Sequence, residues 1–281
     1  MKKLLLIDGH SLLFQMYYGM PNKIKNKDGN YIEGIIGFLG ALRKIIGLIS
    51  PDYIHLVFDG ETNNPNKILD SNYKANRVDY SKEEAENNPF FQLPYIYDCL
   101  NKLNFSFEES VACECDDVIA GIVKKYQNDY KIIICSKDSD FFQLINDNVE
   151  VFRYAGKNSV FWTKSYFIEK YQFEPKLLVT YKSLTGDQSD NVKGLLGVGP
   201  KTATKIIKDY GDLNNLYDNL DKIESIKLKD QILENKDRLF TNHQIINLMN
   251  VDPYELDFKK LDVYIGDYQT IDVLLKLGIG Y

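Results

Sequence analysis

KLLLID at residues 3–8 and YIHLVFD at residues 53–59 decide the fold: each is an apolar run that reads as a strand and stops on an acid, Asp8 or Asp59. KIIIC at 131–135 is a third run of the same kind. Amphipathic helical stretches separate them, as at 33–49, where Ile35, Ile36, Leu39, Leu42, Ile46 and Ile49 fall on one face. Strands alternating with helices predict an α/β fold with a mainly parallel central sheet flanked by helices. Asp8 and Asp59 then lie at the C-terminal ends of their strands, and Asp138 and Asp140 follow the third through a short loop. All four are expected along one edge of the sheet, where open α/β folds place their ligands.

Farther out, residues 61–89 are polar, rich in Asn and Lys, and too long for a routine connection, so they read as an insertion beside that edge. After about Glu174 the strand signals give way to short helices with Gly turns. This predicts an α/β core over 1–174 and a helical domain over 175–281, with a helical hairpin at about 195–211. The 281 residues are 44% apolar and 13% aromatic, enough for one large core or two smaller ones. No apolar run approaches the roughly 18 residues of a membrane span, and KKLLLID meets an acid too early for a signal-peptide core. A soluble, cytoplasmic protein is expected. Cys99, Cys113, Cys115 and Cys135 form no CxxC pair, and His10, His55 and His243 show no zinc spacing, so the thiols read as reduced and structural.

Nine carboxylates carry the chemistry: Asp8, Asp59, then Glu114, Asp116 and Asp117 in ECDD, Asp138 and Asp140 in DSD, and Asp187 and Asp190 in DQSD. If they converge, their repulsion requires cations, and all-oxygen ligands suit Mg²⁺ or Mn²⁺ rather than Zn²⁺. Two such ions about 4 Å apart stabilise the attacking and leaving oxygens of a phosphoryl displacement. In extended backbone Glu114 and Asp116 point to one side, as do Asp138 and Asp140, whereas Asp187 and Asp190 share one face of a helical turn. Asp116 and Asp117 also precede the helical pattern DDVIAGIVKKY, so helix capping explains them as well as function does.

Net charge is −6, but setting the nine acids aside leaves 31 acids against 34 bases, a balance of +3, so the acidic total does not exclude a nucleic-acid partner. Lys74 and Arg77, three apart, would share a helix face and could reach a phosphate; the alternative is a solvated basic turn. GVGPKTA at 197–203 fails the P-loop pattern because Pro200 separates Gly199 from Lys201. Gly197, Gly199 and Pro200 instead resemble a hairpin that offers backbone N–H groups and a helix N-terminus to a phosphate, with Lys201, Lys205 and Lys208 along the helix adding backbone attraction.

The nine acids, YKANR and GVGPKTA, with VFDG, ECDD, SKDSD and LTGDQSDN in order, resemble the bacterial 5′ nuclease family from about residue 3 to about residue 265. That family comprises flap endonucleases and the 5′ to 3′ exonuclease domain preceding some DNA polymerases. The resemblance implies a PIN-like core with a helical-arch insertion and a helix-three-turn-helix domain. It implies that Asp8, Asp59, Glu114 and Asp116 hold or orient a first ion, that Asp140, Asp187 and Asp190 bind a second, that Asp138 stands near both, and that Asp117 is close to the shared region. The implied cofactors are two Mg²⁺, replaceable by Mn²⁺, with K⁺ at the helix-three-turn-helix. Lys74 and Arg77 would engage the scissile phosphate with Asp116 and Asp138 as catalytic partners, and Gly197, Gly199, Lys201, Thr202 and Lys205 would grip duplex.

The implied activity is hydrolysis of DNA at 5′ flaps or 5′ ends by a stand-alone monomer serving replication and repair. Two departures stand out: Gln15 where many relatives carry Arg in the first helix, and PNKIL where many carry FRHE, leaving Lys67 as the nearest cation. Lys offers a point charge where Arg offers a bidentate fork, so weaker phosphate positioning is expected. Two other readings are a PIN-like ribonuclease and a catalytically silent module that binds branched DNA.

Overall fold

A computed structural model of the chain describes residues 1–60, 66–261 and 268–279, with every side chain in those ranges except Lys67 and Ser81. In chain order the first part holds β1 (Lys3–Asp8), α1 (Gly9–Gly19), α2 (Glu33–Ile49), β2 (Tyr53–Phe58), α3 (Asn66–Leu69), α4 (Leu93–Lys102), β3 (Ser106–Glu109), α5 (Cys115–Tyr126), β4 (Lys131–Cys135), β5 (Val149–Arg153) and β6 (Val160–Trp162). The second part holds α6 (Lys164–Tyr171), α7 (Leu178–Thr185), the two-residue strands β7 (Gly186–Asp187) and β8 (Val192–Lys193), α8 (Pro200–Tyr210), α9 (Leu213–Asp218), α10 (Ile226–Glu234), α11 (Lys236–Ile246) and α12 (Thr270–Lys276).

The main sheet runs β3-β2-β1-β4-β5-β6, parallel throughout except for β6. Strand order therefore reverses between β1 and β4, which opens a crevice at their C-terminal ends. Period-two alternation divides the core. Leu5, Ile7, Ile54, Leu56, Phe58 and Ile133 face α1, α2, α4 and α12, while Leu4, Leu6, Val57, Ile132 and Ile134 face α5 and the segments after β4. Because both faces are covered, β1, β2 and β4 are nearly continuous apolar runs, which is why they stand out in the sequence. SFEE and VEVFR, the β3 and β5 stretches, are short and carry acids, so their strands emerge only on pairing.

A third core packs Leu184, Leu195, Val198, Ala203, Ile206, Leu213, Leu216 and Leu239 between the helices around α8. The β7–β8 hairpin that leads into it depends on two glycines. Gly186 has φ +78°, and a Cβ on Gly194 would collide with backbone atoms of Leu184, Thr185 and Gly186.

The insertion differs from the helical form expected. Among the described residues it contains one α-turn, α3, then successive tight turns through Arg77 and a 3₁₀ turn at Tyr80–Lys82. Lys74 and Arg77 therefore do not share a helix face; Lys74 is left-handed, with φ +56°. Among the described residues no helix is long and apolar enough to cross a membrane.

Candidate active site

Asp8 closes β1 and caps α1: one carboxylate oxygen accepts the Ser11 N–H at 2.9 Å, the other the Ser136 hydroxyl at 2.8 Å. Gly9 follows because any Cβ there would enter the Phe58 ring. Asp59, just past β2, accepts the Cys115 N–H at 2.8 Å, and its own N–H donates to His10 Nδ1 at 2.8 Å. In that bond His10 Nδ1 is the acceptor, and the same nitrogen lies 3.4 Å from the Asp59 carboxylate. Asp138 follows β4 on a loop held by Ser136 Oγ, and it accepts the Asp140 N–H at 2.8 Å.

The acid pairs are not arranged as spacing suggested. Glu114 is the N-cap of α5, not part of an extended pair with Asp116, and Asp117 returns a hydrogen bond to the Glu114 N–H in a capping box. Asp116 occupies the first helical turn, and the intervening Cys115 buries its thiol against the Val57 carbonyl. Asp138 and Asp140 lie on a loop and the start of a 3₁₀ turn rather than on a strand. Asp187 and Asp190 sit on the β7–β8 hairpin, not on a helical turn, and Asp187 accepts both the N–H and the hydroxyl of Ser189.

Asp8, Asp59, Asp116 and Asp138 line one cavity of about 1240 Å³ together with Lys74, Arg77 and Lys137. Burial pushes the Asp8 carboxyl up to about 6, with the charges of Asp59 and Asp138 adding to it. Asp116 is driven well above its ordinary value by burial and then by Glu114. Carboxylates crowded this way gain from a cation, and an all-oxygen donor set at this end of the sheet fits a hard divalent ion. The set is not a finished cage: among the described residues no three acidic, histidine or cysteine side chains form a group ready to hold a metal.

The second cluster is built differently. Lys182, in the last turn of α7, reaches both Asp140 and Asp187, the latter at 2.6 Å. Burial, opposed by Lys182 and reinforced by Asp138, raises the Asp140 carboxyl to about 7. Asp190 pairs with Arg77 at 2.9 Å. Here two of the protein's own cations already pair with the three acids, so the second cluster as folded does not fit a divalent ion.

Lys74 is turned onto Glu114, whose other oxygen accepts the Tyr73 hydroxyl at 3.0 Å. Tyr73 has one proton, so its 3.4 Å approach to Asp190 is the weaker contact. The basic turn is also sewn to the hairpin through Lys74 N–H to Asp190 O, Asn76 to Gln188 O and Asn191 to Asn72 O, at 2.8–2.9 Å. Lys182, Tyr73 and Lys137 carry no signal of their own in the sequence, although Tyr73 belongs to YKANR and Lys182 stands five residues before Asp187. Nor does the spacing announce the aromatic wall of the cavity, where Phe14, Tyr80 and Phe90 meet edge to face at 5.4–5.5 Å.

Gln15, in the place of an expected cation, donates to the Tyr154 carbonyl at 2.8 Å. The side chain of Lys67 lies outside the described residues. Gly197 has φ +77°, Gly199 is the N-cap of α8 with no side chain over the helix end, and Thr202 lies in its first turn. Lys201, Lys205 and Lys208 are exposed along α8, and Lys208 donates to Gln172 at 2.6 Å.

Residues 3–172 match the model of the 5′-3′ exonuclease N-terminal resolvase-like domain, and residues 173–269 match that of the 5′-3′ exonuclease C-terminal SAM fold. A 5′-3′ exonuclease of Aquifex aeolicus is 33% identical over 225 residues, covering 80% of this chain and 75% of the relative. DNA polymerase I of Bacillus subtilis is 29% identical over 281 residues, covering 99% of this chain. The chain spans 31% of that polymerase's length. A bacteriophage T5 flap endonuclease in a complex with DNA and metal ions shares the fold, with a TM-score of 0.73 at 20% identity, covering 99% of this chain and 94% of the other. Domain models meeting end to end over an acid-lined switch point settle the relationship: the chain belongs to the 5′-3′ exonuclease family.

Proposed function

We propose that this chain is a Mg²⁺-dependent 5′ nuclease that hydrolyses phosphodiester bonds in DNA bearing 5′ flaps or 5′ ends beside duplex, with roles in replication and repair. The carrying observation is the cavity at the switch point, which gathers Asp8, Asp59, Asp116 and Asp138 with Lys74, Arg77 and Lys137. Those four acids, with Glu114, would hold Mg²⁺ or Mn²⁺, whereas Asp140, Asp187 and Asp190 as folded are paired with Lys182 and Arg77. When bound, the ions supply Lewis-acid stabilisation and a water of lowered pKa. The metal ions in the T5 relative's complex support this assignment.

The chain's own residues do the rest. Lys74 and Arg77 would bring charge to a phosphate at the cavity, Arg77 as a bidentate fork. Ser11 and Ser136 hold the Asp8 carboxylate in place, and Asp117 fixes the α5 terminus that carries Glu114 and Asp116. The helical part from about Glu174 onward would grip duplex as a monomer through Gly197, Gly199, Thr202, Lys201 and Lys205, with K⁺ on the loop carbonyls. An uncapped helix N-terminus beside exposed lysines suits a phosphate backbone.

The test is a 5′-labelled flap duplex incubated with the protein in Mg²⁺, in Mn²⁺ and in EDTA, beside Asp116→Ala and Asp138→Asn. The reading expects cleavage near the junction in either metal, none in EDTA, and at least about 10²-fold loss in each variant. An intact flap with wild type in Mg²⁺ overturns it, and preferred cleavage of a matched RNA flap moves the substrate to RNA.

A further inference from the structure

Lys74, Arg77 and Lys137 line the cavity beside the acids. Two of these cations are already engaged: Lys74 pairs with Glu114, and Arg77 pairs with Asp190 at 2.9 Å. Turning either toward a phosphate leaves a largely buried carboxylate uncompensated, which is costly inside a protein. Lys137 differs. It is exposed, and among the described residues its ammonium closes no ion pair or hydrogen bond, so it exchanges water alone for a phosphate oxygen. Its backbone is nonetheless fixed. The Lys137 N–H donates to Ser11 Oγ at 3.1 Å, the Ser136 hydroxyl donates to Asp8 at 2.8 Å, and Ser136 Oγ accepts the Asp138 N–H at 3.0 Å. The root of the side chain is thus held at the C-terminal ends of β1 and β4, beside two carboxylates that would repel a nucleic-acid strand crossing this edge. Lys74 and Arg77 come from the insertion sewn to the β7–β8 hairpin, whereas Lys137 comes from the loop after β4.

We infer that Lys137 binds an internal phosphodiester of the strand that crosses the acid edge, a different phosphate from the one met by Lys74 and Arg77. The inference rests on the DNA-binding reading of the cavity. One ammonium matches the single charge of a phosphodiester, whereas a terminal phosphate, with nearly two charges and three free oxygens, calls for several donors. A compact charge on a flexible stem takes a non-bridging oxygen in many orientations, so Lys137 anchors the strand without dictating its angle. It also offsets the repulsion that Asp8 and Asp138 exert on that strand. The contact is present before any bond changes, so it contributes to binding of substrate and transition state alike.

The test is a cycle between this side chain and individual phosphates, read by fluorescence anisotropy with the full chain and a labelled 5′-flap duplex in EDTA. Each phosphodiester near the junction is replaced in turn by an uncharged methylphosphonate. Lys137→Ala should weaken binding of the all-phosphate flap by about threefold or more, and Lys137→Arg should keep most of the affinity. At one internal position the methylphosphonate should weaken wild type by a similar factor and leave Lys137→Ala unchanged, the non-additivity of groups in contact. Additive losses at every position overturn the inference. So does coupling to the 5′ terminus, read by comparing 5′-phosphate with 5′-hydroxyl strands. If Lys137→Ala does not fold, Lys137→Met carries the same cycle, and failure of both to fold overturns the inference by giving the side chain a structural role. Cleavage in Mg²⁺ is scored separately, where Lys137→Ala should raise KM with little change in kcat. A protein that binds flaps without cutting them removes the nuclease reading, while the anisotropy cycle still judges Lys137.

Discussion

Replacing Asp8 by Asn should stabilise the metal-free protein while removing the activity proposed for it. Burial and the charges of Asp59 and Asp138 outweigh the hydrogen bonds from Ser11 and Ser136, and the carboxyl moves from 3.8 up to about 6. An acid whose folded-state pKa lies above its unfolded value costs nothing below 3.8, where both states are protonated. The cost grows as pH rises through the window and is complete above about 6. At neutral pH that displacement corresponds to at most about 3 kcal/mol, and to less where the open cavity lets solvent screen the charge. The substituted amide keeps an oxygen for the Ser11 N–H and can donate to Ser136 Oγ, so the α1 cap survives. In EDTA at pH 7.5 the variant should therefore be about 1–3 kcal/mol more stable than wild type, and melt several degrees higher. Urea unfolding followed by circular dichroism between pH 4 and 8 measures this, and the gain should shrink toward zero near pH 4. Added Mg²⁺ should reverse the order, since wild type gains ligand-linked stability that the variant largely loses. A variant less stable than wild type in EDTA at pH 7.5, or a gain independent of pH, would refute the reasoning.

Arg77→Ala should lower single-turnover cleavage of a flap by about 10²-fold or more, with a much smaller change in duplex affinity, because a cation at the phosphate acts on charge that grows in the transition state. A parallel loss of binding and rate would mean that Arg77 only holds the hairpin through Asp190. Lys201→Ala and Lys205→Ala should each reduce the slope of log affinity against log salt by about one without altering junction preference, as fluorescence anisotropy can show. Gly194→Ala should destabilise the chain by about 2 kcal/mol or more in urea and weaken cleavage with it, since the new Cβ would collide with the backbone that carries Asp187. Unchanged unfolding would show that the hairpin yields more readily than its contacts imply.

The sheet was legible because β1, β2 and β4 are buried on both faces, and a run such as KLLLI has few alternatives once both faces must be apolar. Helix α2 was legible over its full length for the complementary reason, a 3.6-residue apolar stripe ending at Ser50 in the left-handed region. The short strands β3, β5 and β6 were not, because their stability comes from pairing at the sheet's margins. The helix start at Asp116 and Asp117 agrees with the capping expected there, whereas local geometry elsewhere at the acids departs from the spacing. Spacing of two or three residues was assigned to a strand or a helix face, whereas the chain uses a capping box at Glu114, a loop at Asp138 and a glycine-dependent hairpin at Asp187.

What the sequence alone determined is the inventory: which acids end strands, which cations stand nearby, and an ordered set of motifs that names the family. These are properties of short stretches and survive without knowledge of contacts. The pairing of those charges was decided only in three dimensions. Lys74 onto Glu114, Arg77 onto Asp190 and Lys182 between Asp140 and Asp187 join residues from five to 113 positions apart. Coulomb attraction and desolvation depend on distance and burial, and neither can be read until the chain has folded.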